Sequence, residues 1–393
     1  MKVLFIIGSL SAGGAERSLV SLLNALPSDK YSIDLIVSKK GGLFFPLIPQ
    51  YINIIEAPFP YNCLVHPPKD VKFYIKHNFI YWFKKVYRIV KSKRLLKQYA
   101  LQQILWQLWK KDIPNFPIEY DVAISYLEGF PNYYVIDKIK AKKKILWIHS
   151  EYKKLRYNPD LDFQYFEKAN KIITISAACR QNLVDTFPLL DNNIEVIENL
   201  SDAKLIKRMA DEQITEISIP NNQLIILSIG RLVPVKSFDL AIKAAQILKQ
   251  KNIHFNWYII GDGILRTDLE KLIEKLDLTQ HVFLLGLQTN PYKFMKRADI
   301  IVQSSSYEGK SIVIDEAKIL CKPIVSTNYT TVYDAIKDRE TGIITKMTPE
   351  SLANSIYSLS QDSELRQAII AHLSMSTYDN KDNINQYISL LES

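Results

Sequence analysis

The chain has 393 residues, 47% hydrophobic and 23% charged, with three cysteines and a formal net charge of +9. That length exceeds one ordinary core and points to two domains, and the composition excludes a disordered chain. Cys63, Cys179 and Cys321 are odd in number and far apart, so no disulfide framework or zinc spacing follows and a reducing compartment is expected. The opening run Met1 to Gly8 lacks the length and flanks of a signal peptide. No run approaches the roughly 20 apolar residues of a spanning helix, so a cytoplasmic chain is expected. Charge is uneven: residues 1–200 hold 28 Lys and Arg against 18 Asp and Glu, leaving 22 against 23 in the remainder. A basic surplus confined to the first half calls for an anionic partner there, a membrane surface or a nucleic acid.

Lys2 to Ile7 is a continuous apolar run, the pattern of a parallel strand buried on both faces. A small-residue loop, Gly8 to Glu16, leads into helical spacing over Arg17 to Leu26 and a strand over Ser32 to Val37. This β-loop-α-β opening lacks the dinucleotide fingerprint, so NAD binding is not indicated. Gly13-Gly14 either lets the backbone approach a phosphate or serves a tight turn.

Lys69 to Lys111 breaks the rhythm. It carries Lys72, Lys76, Lys84, Lys85, Arg88, Lys91, Lys93, Arg94 and Lys97 among Phe79, Tyr81, Trp82, Phe83, Tyr87, Trp106 and Trp109. Such a segment either lies in the interface of an anionic bilayer or packs as a helical insertion with a solvated basic face. No nucleic-acid-binding module accompanies the charge, so nucleic acid is not expected as a partner.

Strands follow over Asp121 to Tyr126, Lys144 to Ile148 and Lys171 to Ile175, ending at Leu127-Glu128-Gly129, His149-Ser150 and Ser176. Ligands of open α/β sheets gather at such carboxyl ends. His149, just past a buried strand, either faces a cleft and carries or donates a proton near neutrality, or is structural. Ile194 to Asp202 reads as the last strand of the first half running into a linker, with a polar stretch over Asp211 to Gln223.

Alternation then restarts with strand Leu224 to Ile229 and a helix from Ser237. Strand Phe255 to Ile260, a helix from Ile264, strand Val282 to Leu285 and a short helix near Pro291 to Arg297 come next. Strand Asp299 to Gln303, a helix over 312–321, and strands Pro323 to Ser326 and Gly342 to Thr345 complete the series. Two successive doubly wound units predict two parallel sheets facing a cleft.

Two stretches of the second half carry chemistry. Gly230-Arg231-Leu232-Val233-Pro234-Val235-Lys236 sits between a strand and a helix; its paired cations suit a diphosphate or are surface residues. Ser304 to Glu316 joins a strand, a Gly-containing turn and a helix start, an arrangement that makes an anion site. Glu308 and Glu316 flank it. They either cap the helix or accept hydroxyls of a ligand that is part phosphate and part polyol, as a nucleotide-sugar is.

Taken in order, Gly13-Gly14-Ala15-Glu16, His149, Gly230-Arg231 with Lys236, Gly261-Asp262-Gly263, Gly286 and the Glu-x7-Glu pair Glu308 and Glu316 resemble the retaining GT-B glycosyltransferases of family 4 (glycosyl transferases group 1). The resemblance spans almost the whole chain and is weakest over Lys69 to Lys111, where such families vary with the acceptor. It implies an α/β GT-B fold of two Rossmann-like doubly wound domains. Residues 1–200 would form the acceptor domain with an insertion at about 69–111, residues 201–376 the donor domain, and residues 377–393 a final helix packing back on the first.

By the same resemblance, Arg231 and Lys236 hold the donor diphosphate and stabilise the charge developing on it. The Gly14 amide approaches the phosphates, Glu316 takes the ribose hydroxyls, and Glu308 touches the donor sugar near its anomeric region. The amides around Gly309, Lys310, Ser311 and Ile312 complete the cradle, and the base lies near Gly286 and Leu287. Gly13, Glu128 and His149 are the acceptor-side residues, with His149 lining the sugar site. Lys310-Ser311 departs from the Gly-Phe-Gly or Gly-Leu-Pro of many members and bears on donor identity.

The implied activity is transfer of a hexose from a nucleotide-diphospho-sugar, a UDP-sugar in the first instance, to a membrane lipid-linked glycan in bacterial envelope polysaccharide synthesis. The implied place is the inner face of the cell membrane. Retention follows from attack on one face, with the leaving phosphate helping to deprotonate the acceptor; Glu308 is not read as a nucleophile. No Asp-x-Asp motif stands where a GT-A enzyme needs one, so no cofactor and no obligatory metal are expected. A GT-B sugar-nucleotide epimerase and a catalytically silent nucleotide-sugar-binding subunit are the alternatives. The pattern does not bear on oligomeric state.

Overall fold

The computed structural model describes residues 1–11, 13–65, 79–91, 99–220, 222–376, 378 and 383–393. The chain divides into two compact units, one of Met1–Ser11, Ala15–Glu198 and Asn385–Ser393, the other of residues 12–14 and Asn199–Ile384.

The described residues of the first unit build a seven-stranded sheet from β1 (Lys2–Ile7), β2 (Ser32–Val37), β3 (Asn53–Glu56), β4 (Glu119–Ser125), β5 (Lys140–Ile148), β6 (Lys171–Thr174) and β7 (Ile194–Val196). The order is β3-β2-β1-β4-β5-β6-β7 and every pairing is parallel. Helices cover both faces of such a sheet, which is why Val3 to Ile7 are at most 1% exposed. β5 begins at Lys140, earlier than its apolar run, because Lys140 and Lys142 stay exposed while the chain is already paired to β4.

A buried polar hub ties the helices of this unit together. Asp162, 1% exposed in helix Pro159–Phe166, accepts from Gln103 Nε2 at 2.8 Å and from the hydroxyls of Tyr133 and Tyr152, each at 2.6 Å. Burial raises its carboxyl above the ordinary range while the three donors pull it back. The last helix, Ile384–Glu392, packs within the same unit: Tyr387 stacks on Trp147 with ring centroids 5.5 Å apart, and its hydroxyl donates to the Glu198 carbonyl at 2.8 Å.

The described residues of the second unit form a six-stranded sheet: β8 (Leu224–Ile229), β9 (Phe255–Ile260), β10 (Val282–Gly286), β11 (Ile300–Gln303), β12 (Ile324–Thr327) and β13 (Ile343–Thr345), in the order β10-β9-β8-β11-β12-β13. The pairings are again parallel. Alternate residues of β8 serve separate cores, Ile226 on one face and Ile225, Leu227 and Ile229 on the other. The helix expected over 312–321 ends at Ile319. Cys321 turns left-handed (φ 50°), and the Lys322 amide donates back to the Ala317 carbonyl at 2.9 Å, which closes the helix just before Pro323.

The basic aromatic segment splits in two. Lys72, Lys76, Lys93, Arg94 and Lys97 lie outside the described residues. Helix Leu101–Trp109 buries Trp106 and Trp109 completely, which corrects the expectation that these rings face a bilayer: they fill the core beneath the sheet. Lys85 is also buried, donating to the Leu64 carbonyl at 3.2 Å. In helix Phe79–Lys91 the remaining residues divide by face. Tyr81 packs on Trp109 and Arg88 lies over the Trp109 ring, whereas Ile80, Phe83, Tyr87 and Val90 are 63, 55, 64 and 54% exposed. Their spacing of three, four and three residues puts them on one stripe. No helix among the described residues is long and apolar enough to cross a membrane.

Candidate active site

In the second sheet the strand order reverses between β8 and β11, and such a reversal opens a crevice at the carboxyl ends of the strands. The segments after those two strands are 230–236 and 304–311, the stretches the sequence marks as chemical. Two glycines bring the 230–236 loop to its shape. Gly261 has φ +143°, and a Cβ there would lie 1.9 Å from the Gly230 carbonyl oxygen, so no other residue allows this backbone approach. At Gly230 a Cβ would sit 3.3 Å from both Cδ and Cε of Lys236; the bare backbone lets the lysine stem lie across it.

Two of the three serines after β11 stitch the two segments. Ser304 Oγ donates to the Lys236 carbonyl at 2.7 Å, and Ser306 donates to the Val235 carbonyl through its amide at 2.8 Å and its hydroxyl at 3.1 Å. Ser305 turns the other way, its hydroxyl 2.5 Å from Glu308 Oε1. Lys236 Nζ reaches the same oxygen at 2.5 Å, with both side chains under a fifth exposed. Gln303 Nε2 donates to it as well, at 2.7 Å. Thr331 Oγ1 fixes the Glu308 carbonyl at 2.8 Å. Lys236 and Glu308, separated by 72 residues in sequence, therefore form one constellation.

Arg231 is exposed at the mouth of this loop and makes no ion pair or side-chain hydrogen bond with the described residues. Beyond Glu308, Gly309 and Ser311 are buried, and Lys310 points toward Asp315 with its amine 3.8 Å from the carboxylate. Helix Ile312–Ile319 starts without a side-chain cap from Ser311; the Ile314 amide bonds the Ser311 carbonyl at 3.1 Å, and the Ile312 and Val313 amides keep the positive end of the helix open to an anion. Glu316, on this helix, is 1% exposed and accepts from the Tyr292 hydroxyl at 2.8 Å. Gly286 closes β10 at φ +72° and Leu287 beyond it is 45% exposed. Gly14 groups with this unit, where a Cβ on it would meet Ile312 Cδ1 at 3.4 Å; Gly13, beside it, belongs to the same unit.

The first unit holds Glu128 and His149 at the ends of β4 and β5. Glu128 accepts the His149 amide at 3.0 Å and the Ser150 hydroxyl, so the carboxylate fixes the turn that carries the histidine. The His149 ring packs against Tyr126 and Trp147 and hydrogen-bonds the Tyr126 backbone, while Nε2 has no partner among the described residues. Burial pulls its pKa down to about 3. The expectation of a residue that carries or donates a proton near neutrality is thus corrected: desolvation keeps the ring neutral. With its ring proton on the Tyr126 side, His149 offers Nε2 as an acceptor for a hydroxyl.

Between about pH 6.5, the ordinary histidine value, and about 3, the unfolded chain binds a proton that the folded chain refuses. Stability therefore falls as pH drops through that window. Unfolding midpoints at pH 7.5 and 5 are expected to differ less in His149→Asn than in the natural chain; equal pH sensitivity in both would contradict the buried neutral ring.

Sequence reasoning placed Ser304, Ser305 and Ser306 in the anion-site stretch without giving them a role, and it missed Gln303. A buried amide ending an Ile-Ile-Val strand was the available signal, since apolar parallel strands rarely spend a core position on glutamine.

The sequence signature of the family described as Glycosyl transferases group 1 matches residues 209–372, which contain the whole 230–316 constellation. An uncharacterized glycosyltransferase of Methanocaldococcus jannaschii is 30% identical over 195 residues, 47% of this chain and 48% of its own length; the chain thus spans about half of that relative. The N-acetylgalactosamine-N,N'-diacetylbacillosaminyl-diphospho-undecaprenol 4-alpha-N-acetylgalactosaminyltransferase of Campylobacter jejuni is 26% identical over 92% of this chain and 91% of its own length. Among solved structures, that of Anabaena HepE in complex with UDP-glucose superposes with a TM-score of 0.70 at 18% identity, covering 99% of this chain and 98% of its own. Signature and fold agree: residues 209–372 carry the signature of glycosyl transferases group 1, and the chain as a whole has the GT-B fold.

Proposed function

We propose that the chain is a retaining hexosyltransferase that moves a sugar from a UDP-sugar to a lipid-linked glycan at the inner face of a bacterial membrane, in envelope polysaccharide synthesis. The observation that carries the donor half is the convergence of Lys236 and Glu308 at the sheet's switch point, with Arg231 exposed on the same loop. In this reading the second unit takes the donor and the first takes the acceptor. Arg231 and Lys236 hold the diphosphate and offset the negative charge that grows on it as the glycosidic bond breaks. The uncapped helix start at Ile312 and the Gly14 amide add backbone donors. Glu316 exchanges its Tyr292 bond for ribose hydroxyls. Glu308 orients the donor sugar, and the leaving phosphate takes the acceptor proton on the same face, which preserves the anomeric configuration. Names of relatives such as the Campylobacter enzyme support the lipid-linked acceptor. Nuclear magnetic resonance of the product made from an α-linked donor tests retention: an α-linkage is expected, and a β-linkage would overturn it.

Two cations beside the diphosphate supply the charge that a divalent ion supplies elsewhere, so turnover is expected to survive chelator. Reversible loss of activity with chelator, restored by magnesium or manganese, would contradict this.

Membrane attachment rests on helix Phe79–Lys91. The exposed stripe Ile80, Phe83, Tyr87 and Val90 is flanked by exposed Lys84 and Lys91, an apolar face with cations beside it, as interfacial helices have. Each lysine near an anionic surface contributes about 1 kcal/mol. Flotation with anionic vesicles is expected to exceed flotation with neutral ones and to drop in Phe83→Ser. Equal recovery on both vesicle types would sink the electrostatic part, and an unaffected Phe83→Ser would sink the stripe.

A further inference from the structure

We infer that Gln303 and Ser305 are positioning residues that take over Glu308 when the donor removes its lysine; this rests on the proposed donor site. In the structure three donors converge on one carboxylate oxygen: Lys236 Nζ at 2.5 Å, Ser305 Oγ at 2.5 Å and Gln303 Nε2 at 2.7 Å from Glu308 Oε1. Oε2 has no hydrogen bond among the described residues, so it is the oxygen left for a ligand. Gln303 Nε2 also donates to Ser305 Oγ at 2.7 Å, so amide, hydroxyl and carboxylate form a closed triangle. Gln303 is 3% exposed and Ser305 1%, and Thr327 Oγ1 anchors the backbone of the latter through its carbonyl at 2.6 Å. These two side chains are rigid, neutral and out of reach of solvent.

Lys236 has a different character. Its amine ends a four-carbon stem laid over Gly230, free to swing. A diphosphate arriving beside it carries more charge than one carboxylate and draws the amine across. A largely buried carboxylate that loses its one cationic partner among the described residues would be strongly disfavoured in place. The two neutral donors remain, keep the carboxylate hydrogen-bonded, and hold Oε2 toward the sugar. Gln303 and Ser305 thus act in the donor-bound complex, where Lys236 is occupied, and contribute less in the free enzyme, where the ion pair already fixes Glu308. Their removal is expected to appear in kcat more than in the KM for donor.

The test is a double-mutant cycle on transfer kinetics. Gln303→Leu keeps the size and suits a buried strand; Ser305→Ala is the second probe should the first fold poorly, with thermal midpoints measured for each. Either change is expected to lower kcat roughly 10- to 100-fold, the range for a lost hydrogen bond to a charged group, with a smaller change in KM. In a Glu308→Gln background the same changes are expected to have little further effect, because they act through that carboxylate. Lys236→Ala is measured first. If transfer does not depend on Lys236, the donor site itself is wrongly placed. If transfer depends on Lys236 but Gln303→Leu and Ser305→Ala cost the same with and without Glu308, only the positioning role is overturned.

Discussion

Lys236→Ala is expected to lower kcat/KM for the nucleotide-sugar by about 100- to 1,000-fold, the range seen when one preorganised electrostatic donor is removed from a reacting group. In the proposed transfer, charge develops on the leaving diphosphate, and Lys236 is the partly buried cation of the 230–236 loop. Arg231, exposed beside it, retains part of the phosphate attraction and sets a floor to the loss. The fold is expected to survive, since Glu308 keeps its bonds to Gln303 and Ser305. Lys236→Arg keeps the charge but replaces a point donor with a planar fork whose stem must still cross Gly230, so only partial recovery is expected. Steady-state kinetics with a matched unfolding curve check this. An alanine variant as active as the natural chain would remove Lys236 from the phosphate site.

The largest expected effect on stability is at Asp162. Asp162→Ala strands the buried hydroxyls of Tyr133 and Tyr152 and removes one of the two bonds of Gln103 Nε2, which keeps the Asn158 carbonyl at 3.0 Å. Each stranded donor costs on the order of 1–3 kcal/mol, and partial rearrangement brings the total to roughly 3–5 kcal/mol. For a unit of this size that corresponds to a fall in Tm of about 6–20 °C. Asp162→Asn is expected to cost much less. It keeps one acceptor, and Tyr hydroxyls can accept from the new amide. Because burial raises the Asp162 carboxyl, its own ionisation weakens the fold as pH rises above the ordinary aspartate value. The asparagine variant is therefore expected to lose less stability between pH 4 and pH 7 than the natural chain. Calorimetric unfolding of both variants decides; an alanine variant within 1 kcal/mol of the natural chain would mean that the hub has no structural weight.

What could be read directly from residues was governed by local physics. Continuous apolar runs such as Lys2–Ile7 and Leu224–Ile229 mark strands buried on both faces, and their alternation with helical spacing prescribes two doubly wound sheets. Arg231, Lys236, Glu308 and Glu316 stood out because cations and carboxylates at strand-to-helix junctions suit a phosphate and a polyol, and because their order along the chain resembles that of a known family. The rest depended on contacts between distant parts of the chain. Trp106 and Phe83 look alike in sequence, both aromatic and both in a basic stretch, yet one fills the core and the other meets solvent. Composition cannot tell which face of a helix is turned inward. His149 was noticed for its place after β5, but its proton inventory is set by the desolvation that Tyr126 and Trp147 impose. The roles of Ser304 and Ser306 were invisible because their partners, Lys236 and Val235, lie some 70 residues away. The start of β5 was hidden by its lysines, which pair in the sheet through their backbone while their side chains remain in water.

The second unit is expected to bind a uridine diphosphate-sugar through the 230–236 loop and the Glu308–Glu316 segment. Calorimetric titration with UDP tests it most directly, on the natural chain and on Lys236→Ala and Glu316→Gln. Saturable binding in the micromolar to low millimolar range, weakened at least about tenfold (1.4 kcal/mol) in each variant, is the predicted result. No heat of binding at millimolar UDP, or binding that neither substitution changes, would contradict it.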